Sequence, residues 1–198
     1  MGKKQAVVRA EKASIRNINI HPDTIVEHNV WFEGNICVEP YTYIDVGAVF
    51  CGDITIGYNS LVRCNVSADG KLTVGKQTHV YDQICFTGES SVGDYCWMNH
   101  GASVSHSKIG NECAVAVGAA TEYGSIMEAG TIVSNHSLAF AQTVIQKNTR
   151  VEGVPSNVVQ RFMRLEDRQR YFGVSPYLWV QLQGQWIEQD VLNRAEKK

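Results

Sequence analysis

Several features that would assign this chain to a broad functional class are missing from its sequence. The 198 residues carry a formal net charge of −2, which gives no electrostatic basis for binding nucleic acid. No uninterrupted apolar run approaches the roughly 20 residues that a membrane-spanning helix needs. Residues 1–4 are not followed by an apolar segment, so no signal peptide is expected. We therefore expect neither a nucleic acid nor a membrane among the partners of the protein.

A repeat of six residues organises the middle of the chain. Nearly every sixth residue is aliphatic or aromatic from Ile20 to Val104 and again from Ile109 to Val151, with one step of five residues between the two series. A period of six fits neither an amphipathic helix nor a simple strand, so it indicates a structural repeat. Three steps make a coil of 18 residues. Equivalent residues of successive coils would then stack about 4.8 Å apart, as neighbouring parallel strands do.

Two columns of small residues support this coil. Glycine follows the first anchor of the coil in four consecutive repeats, at Gly57, Gly75, Gly93 and Gly110. Such a column indicates a corner at which a Cβ is not tolerated. Four residues after the same anchor, the column reads Thr24, Thr42, Ser60, Thr78, Cys96, Cys113, Thr131 and Thr149. These residues fit the inside of a tight corner, so we interpret Cys96 and Cys113 as small buried residues and not as metal ligands.

The cysteine content favours one compartment. Six cysteines in a chain of this length, without a secretory signal, are typical of reduced thiols. We therefore expect the protein to be cytoplasmic and to lack a disulfide framework.

The six-residue period resembles that of the hexapeptide-repeat superfamily, whose fold is a left-handed parallel β-helix. The resemblance covers roughly two thirds of the chain and predicts an all-β fold. Proteins of this superfamily are typically homotrimers with sites in the clefts between neighbouring subunits. They include acyltransferases that use acyl-CoA and the γ-class carbonic anhydrases. The resemblance therefore implies a homotrimer that holds a small-molecule ligand in an inter-subunit cleft.

The sequence divides into three parts. Residues 1–19 form a polar lead-in, and residues 20–155 form the predicted β-helix. Residues 156–198 form a predicted C-terminal α-helical appendage, because they carry helix-forming residues and an apolar stripe at helical spacing. Gly173 is expected to end the first of these helices.

The segment around the short step resembles a zinc-binding segment of γ-class carbonic anhydrases. In that segment two histidines five residues apart precede the same five-residue step, and a third histidine lies upstream. His100 falls on the first of the pair, whereas Ser105 and Thr87 occupy the other two ligand positions. Arg63 and Asp82 resemble the arginine and aspartate that pair across the subunit interface of that family.

The loss of two ligand positions argues against an ordinary zinc site. Catalytic zinc needs three protein ligands and an open position for water, and neutral hydroxyl groups are poor substitutes. His100 and His106 are the only candidate ligands, and zinc at full occupancy is not expected. The resemblance therefore predicts a γ-carbonic-anhydrase-like trimer with a degenerate zinc site, which binds or acts on a small molecule instead of hydrating CO2 in the usual way.

The predicted site combines catalytic and binding candidates. The candidate catalytic residues are His100, His106, Asp82 and Tyr81. The candidate binding residues are Arg63, Cys64, Asn65, Thr87, Asn99 and Ser105. Cys64, Asp82 and His100 share one column at 18-residue spacing, so Asp82 could orient the imidazole. Alternatively, Cys64 packs in the subunit interface.

Two other functions are compatible with the same residues. Residues 102–107 resemble the segment of sugar-amine acetyltransferases that carries a general-base histidine, although Ser105 and Ser107 replace its acidic neighbours. In that scheme His106 would deprotonate the nucleophile that attacks acetyl-CoA or another acyl-CoA. A non-catalytic scaffold subunit is the third possibility.

Overall fold

The computed structural model of the protein describes residues 15–154 and 156–160, which form two parallel sheets wound around one core. None of these residues is helical, and this part of the chain contains no helix of the length and apolarity needed to cross a membrane. Each coil of the chain is a triangle whose three sides are strands. We number the corners in chain order, so that the first corner follows the side that ends at Ile20.

The eleven-stranded sheet supplies two sides of the triangle. Its long strands are β1 (Ile15–Ile20), β3 (Trp31–Val38), β5 (Val49–Ile56), β7 (Ser67–Val74) and β9 (Cys85–Val92). Its short strands are β11 (Ser103–Ser105), β12 (Lys108–Ile109), β14 (Ala120–Thr121), β15 (Ile126–Met127), β17 (Leu138–Ala139) and β18 (Val144–Ile145).

The nine-stranded sheet supplies the remaining side, between the first and second corners. Its strands are β2 (Ile25–Val26), β4 (Tyr43–Ile44), β6 (Leu61–Val62), β8 (His79–Val80), β10 (Trp97–Met98), β13 (Ala114–Val115), β16 (Ile132–Val133), β19 (Arg150–Glu152) and β20 (Asn157–Gln160). All pairs are parallel except β19 with β20. The predicted parallel β-helix is confirmed over these residues.

The strand register confirms the coil length and locates the short step. Ser105 pairs with Thr87, 18 residues earlier, whereas Lys108 pairs with Ser91, 17 residues earlier. The missing residue therefore lies between Ser105 and Lys108, at the third corner. Every later coil stacks on this shortened one without a gap in the sheets.

The predicted ladder forms the core. Its inward residues are almost completely buried, and the largest of them include Phe50, Phe86 and Met98. The rings of Phe32 and Phe50 stack with centroids 5.6 Å apart. Each such side chain contributes roughly 1.5–3 kcal/mol through its removal from water.

The first corner is closed by hydrogen bonds between small side chains and the next coil. The Thr78 hydroxyl donates to the Gly93 carbonyl over 2.8 Å, and the same oxygen accepts the Cys96 backbone N–H at 3.1 Å. The Cys96 thiol donates to the Gly110 carbonyl over 3.0 Å. Cys96 and Cys113 are buried, as predicted, and all six cysteines of the chain are free.

The glycines of the first corner are needed for close approach between coils. A Cβ on Gly75 would overlap the backbone of Gly93 in the next coil, although Gly75 does not have a left-handed φ. The left-handed turn positions fall two residues later, on residues such as Asn59 and Gln77. The column of glycines is thus explained by packing between coils.

Two predicted boundaries differ from the structure. The β-helix starts earlier than residue 20, because β1 begins at Ile15 and pairs with β3. The predicted helix does not start at residue 156, because β20 is a strand that pairs antiparallel with β19. The last coil leaves unpaired backbone groups at its edge, and β20 satisfies part of them. The remaining predicted helical residues lie outside the described part of the chain.

Candidate functional site

The predicted site residues occupy two corners of the β-helix. Seven of them lie at the second corner: Arg63, Cys64, Asn65, Tyr81, Asp82, Asn99 and His100. Three lie at the third corner: Thr87, Ser105 and His106. One side of the triangle separates the two groups, so a cleft that contains both would need a second subunit.

His100 and Asp82 form a close dyad at the second corner. His100 Nδ1 lies 2.9 Å from Asp82 Oδ2, and the side chains are 50% and 30% exposed. The stacking of successive coils brings the two residues together, as their 18-residue spacing predicts. When Nδ1 carries the proton toward the carboxylate, Nε2 of the neutral ring is left as an acceptor. Nε2 makes no hydrogen bond within the described residues.

The second oxygen of Asp82 is held from the preceding coil. Asp82 Oδ1 accepts the backbone N–H of Cys64 at 3.1 Å and lies 3.7 Å from Arg63 Nε. Arg63 Nε also lies 3.8 Å from Asp45 Oδ2. Within one chain, Arg63 and Asp82 lie within ion-pair distance of each other, and the pairing between subunits that the resemblance to carbonic anhydrases implies stays a prediction.

Cys64 contributes its backbone to the dyad and does not contribute a reactive thiolate. Burial raises the pKa of the Cys64 thiol, and a hydrogen bond with Asp45 and the charges of Asp45 and Asp82 raise it further. Arg63 lowers this pKa by a smaller amount. Because the thiolate is the nucleophilic form, a raised pKa disfavours nucleophilic catalysis by this residue.

Aromatic side chains pack beside the dyad. The Tyr81 ring lies 4.8 Å from the ring of His100, 5.1 Å from that of His79 and 5.8 Å from that of Trp97, measured between centroids. Tyr81 therefore shields one side of the His100 imidazole and links it to the more deeply buried His79.

His79 is a residue that sequence reasoning missed. It is 2% exposed, and neither ring nitrogen has a hydrogen-bond partner among the residues that the structure describes. Burial, and to a smaller extent the charge of Arg63, lowers the pKa of His79 to about 3. The His79 side chain points away from the core. Equivalent outward positions in other coils hold the buried residues Leu61, Ala114 and Ile132. That apolar column was the available signal that His79 is buried.

His106 stands at the third corner, where no carboxylate of the described residues lies within ion-pair distance of its ring, although the Glu89 carboxylate is close enough to interact with it electrostatically. It adopts a left-handed backbone conformation with φ 46°, in the column that Gly88 occupies one coil earlier. The imidazole lies directly over Gly88, and its centroid is 4.9 Å from the ring of Tyr123, a residue that is 61% exposed. Ser105 Oγ lies 3.3 Å from His106 Nδ1. The predicted stacking of His106 toward Tyr123 is confirmed.

The remaining polar candidates shape the backbone of the two corners. Asn99 Oδ1 accepts the backbone N–H of His100 at 2.9 Å. The Thr87 carbonyl accepts the backbone N–H of His106 at 3.0 Å. Asn65 has a left-handed φ of 56°, which asparagine tolerates better than most residues. Within residues 15–154 and 156–160, no group of three or more His, Cys, Asp or Glu side chains could hold a metal ion.

Comparisons with known proteins identify the fold. No protein-family model matches the sequence, and neither does any curated protein. A Bacillus cereus protein provisionally named an acetyltransferase matches in structure with a TM-score of 0.70 and 17% identity, over 84% of this chain and 98% of that one. A hexapeptide transferase family protein from Anaplasma phagocytophilum matches with a TM-score of 0.57 and 17% identity, over 88% and 91% of the two chains.

A third solved structure extends the comparison. The UDP-N-acetylglucosamine O-acyltransferase of Moraxella catarrhalis matches with a TM-score of 0.51 and 14% identity, over 77% of each chain. At these identities the matches show the fold alone. The chain therefore shares the parallel β-helix fold of these structures, as its sequence predicts.

Proposed function

We propose that this hexapeptide-repeat protein is an acyl-CoA-dependent acyltransferase whose general base is His100. The observation that carries the proposal is the 2.9 Å contact between His100 Nδ1 and Asp82 Oδ2. A histidine oriented by a carboxylate is a common general base for acyl transfer. The transferase names of the three structures with this fold support the same reaction class.

The proposed reaction transfers an acyl group from a thioester to an amine or a hydroxyl group. His100 Nε2 accepts the proton of the nucleophile while the nucleophile attacks the thioester carbonyl. The carbon–sulfur bond then breaks, and the CoA thiolate leaves and takes up the proton from the imidazolium. Asp82 holds the ring in the required tautomer and stabilises the imidazolium that forms transiently. The products are the acylated acceptor and free CoA.

The carbonic-anhydrase interpretation has less support. Zinc-dependent CO2 hydration would need ligands at the positions of Thr87 and Ser105, and their hydroxyl groups are poor zinc ligands. Neither the ion pair of Arg63 with Asp82 nor the dyad requires a metal. We also propose that the protein acts as a cytoplasmic homotrimer with the acceptor bound in an inter-subunit cleft, as the superfamily resemblance implies.

His106 is the second candidate base for the same reaction. The sequence resemblance to sugar-amine acetyltransferases favours His106, but its ring nitrogen faces the Ser105 hydroxyl at 3.3 Å. A neutral hydroxyl stabilises an imidazolium less than a carboxylate does. The geometry therefore favours His100 over His106.

The test begins with the unmodified full-length protein. Acetyl-CoA and longer acyl-CoA thioesters are offered with a panel of amines and alcohols, and thiol release and acylated products are measured. We expect acyl-CoA binding in calorimetry and CoA release that depends on an acceptor. Absence of acyl-CoA binding would contradict the proposal and favour the scaffold interpretation. One tightly held zinc ion per chain together with rapid CO2 hydration would favour the carbonic anhydrase interpretation.

A further inference from the structure

We propose that Arg63 and Asp45 are positioning residues that set how strongly Asp82 holds the His100 imidazolium. This inference rests on the proposed function only in that His100 is taken as the base. The coupling itself concerns charges and distances at the second corner. It can therefore be measured even if the reaction is a different one.

The two oxygens of Asp82 have separate partners. Oδ2 lies 2.9 Å from His100 Nδ1, while Oδ1 accepts the Cys64 backbone N–H at 3.1 Å. The backbone contact fixes the carboxylate, because the N–H belongs to the stacked coil and cannot rotate away. Arg63 Nε lies 3.7 Å from Oδ1, which is too long for a hydrogen bond and close enough for a strong electrostatic interaction.

Arg63 is shared between two carboxylates. Its Nε atom lies 3.8 Å from Asp45 Oδ2 and 3.7 Å from Asp82 Oδ1, and it hydrogen-bonds to neither of them. Nε is buried, whereas the whole side chain is 43% exposed. A guanidinium placed almost equally between two anions is balanced between them. If either carboxylate were lost, the positive charge of Arg63 would therefore act mainly on the remaining carboxylate.

This arrangement predicts opposite effects for two neighbouring substitutions. Removal of the Arg63 charge leaves Asp82 more negative toward His100, which favours the imidazolium. Removal of the Asp45 charge lets Arg63 neutralise Asp82 more fully, which disfavours the imidazolium. The titratable groups beside this cluster include Cys64, Tyr81, His79 and, one coil before Asp45, Glu27, and neither substitution replaces any of them.

The experiment is an NMR titration of the His100 ring in the full-length protein, assigned by the loss of its signal in His100→Gln. In Arg63→Gln we expect the midpoint to rise by about half a pH unit, the size of a partly screened charge interaction. In Asp45→Asn we expect it to fall by a similar amount. The titration midpoint of His100 in the double variant should lie between the midpoints of the two single variants. If acyl transfer is detected, the acidic limb of its pH profile should move in the same directions.

Two further variants keep the test decisive. Arg63→Lys retains the charge, so its midpoint should stay near that of the unmodified protein, and Arg63→Met replaces Arg63→Gln if that variant does not fold. Lys71→Gln removes an exposed charge paired with Glu89 elsewhere and should have no effect. Equal midpoints in the unmodified protein, Asp45→Asn and a charge-removing Arg63 variant would overturn the inference. So would a shift in Arg63→Lys as large as that in Arg63→Gln. Shifts as predicted in a protein that transfers no acyl group would reject the proposed function and retain the coupling.

Discussion

The first and second corners of the β-helix stack in the same way and use polar side chains in opposite ways. At the first corner, Thr78 and Cys96 are buried and bond to the backbone of neighbouring coils. At the second corner, Asp82 and His100 are partly exposed and bond to each other. The comparison shows that the repeat fixes the positions of side chains, whereas chemistry is available where a solvent-exposed side chain keeps a polar atom that does not bond to the backbone, as Asp82 Oδ2 does.

Asp82→Asn should have the largest effect, and the effect should be on activity. The amide cannot stabilise an imidazolium and favours the wrong tautomer, so we expect acyl transfer to fall between roughly 10²- and 10⁴-fold. The melting temperature should change little, because the dyad is partly exposed. Thermal unfolding and CoA release measured on the same preparation separate the two effects. A variant with normal activity would remove Asp82 from the mechanism.

Glycine substitutions distinguish the two corners by stability. Gly75→Ala at the first corner places a Cβ against the backbone of Gly93, so we expect a loss of roughly 2–4 kcal/mol in unfolding free energy. Gly101→Ala at the second corner meets no atom of the described residues within 4 Å, so only its left-handed φ of 67° is unfavourable, which costs roughly 1–2 kcal/mol. Denaturant unfolding of both variants measures the difference. Equal losses would contradict tighter packing at the first corner.

Cys96 tests whether the hydrogen bonds of the first corner matter. Cys96→Val keeps a buried side chain but leaves the Gly110 carbonyl without its donor, so we expect a loss of roughly 1–3 kcal/mol. Cys96→Ser retains a donor of the kind that Ser60 supplies in an earlier coil, and it should lose less. The unfolding free energies of the two variants are measured and compared. A valine variant as stable as the serine variant would show that volume alone decides this position.

The buried His79, which lies beside the second corner, should make the stability of the fold depend on pH, and this effect should be smaller than those above. The pKa of His79 falls from an ordinary value of 6.5 to about 3 in the folded state, so the unfolded chain binds more protons between these values. Stability is therefore lost as pH falls below 6.5, by about 1.4 kcal/mol per pH unit until the folded value is reached. His79→Leu should remove this loss and unfold less readily at pH 5.5 than the unmodified protein. Identical acid sensitivity of the two proteins would contradict this assignment.

The repeat made much of this fold and part of its site predictable. The ladder from Ile20 to Val151 located the β-helix, because burial on three sides imposes a six-residue period. The spacing of Asp82 and His100 predicted their contact, because stacked coils bring residues one turn apart together. The same six-residue spacing located the short step that carries His106.

Other features depend on contacts that no local pattern reports. The β20 strand exists because the edge of β19 offers backbone partners, whereas residues 156–172 carry helix-forming residues. The balance of Arg63 between Asp45 and Asp82 depends on side-chain geometry across coils. The burial of His79 is indicated in the sequence only by the apolar residues of its column, which do not show what covers that column.

The most direct test of this account compares the two histidines in one acyl-transfer assay. His100→Ala and His106→Ala are prepared in the full-length protein, and CoA release with the best acceptor is measured at saturating acyl-CoA. We expect His100→Ala to lose between roughly 10²- and 10⁴-fold, as removal of a general base does, and His106→Ala to stay within a few-fold of the unmodified protein. Full activity in His100→Ala, with the loss in His106→Ala instead, would place the chemistry at the third corner and contradict the assignment.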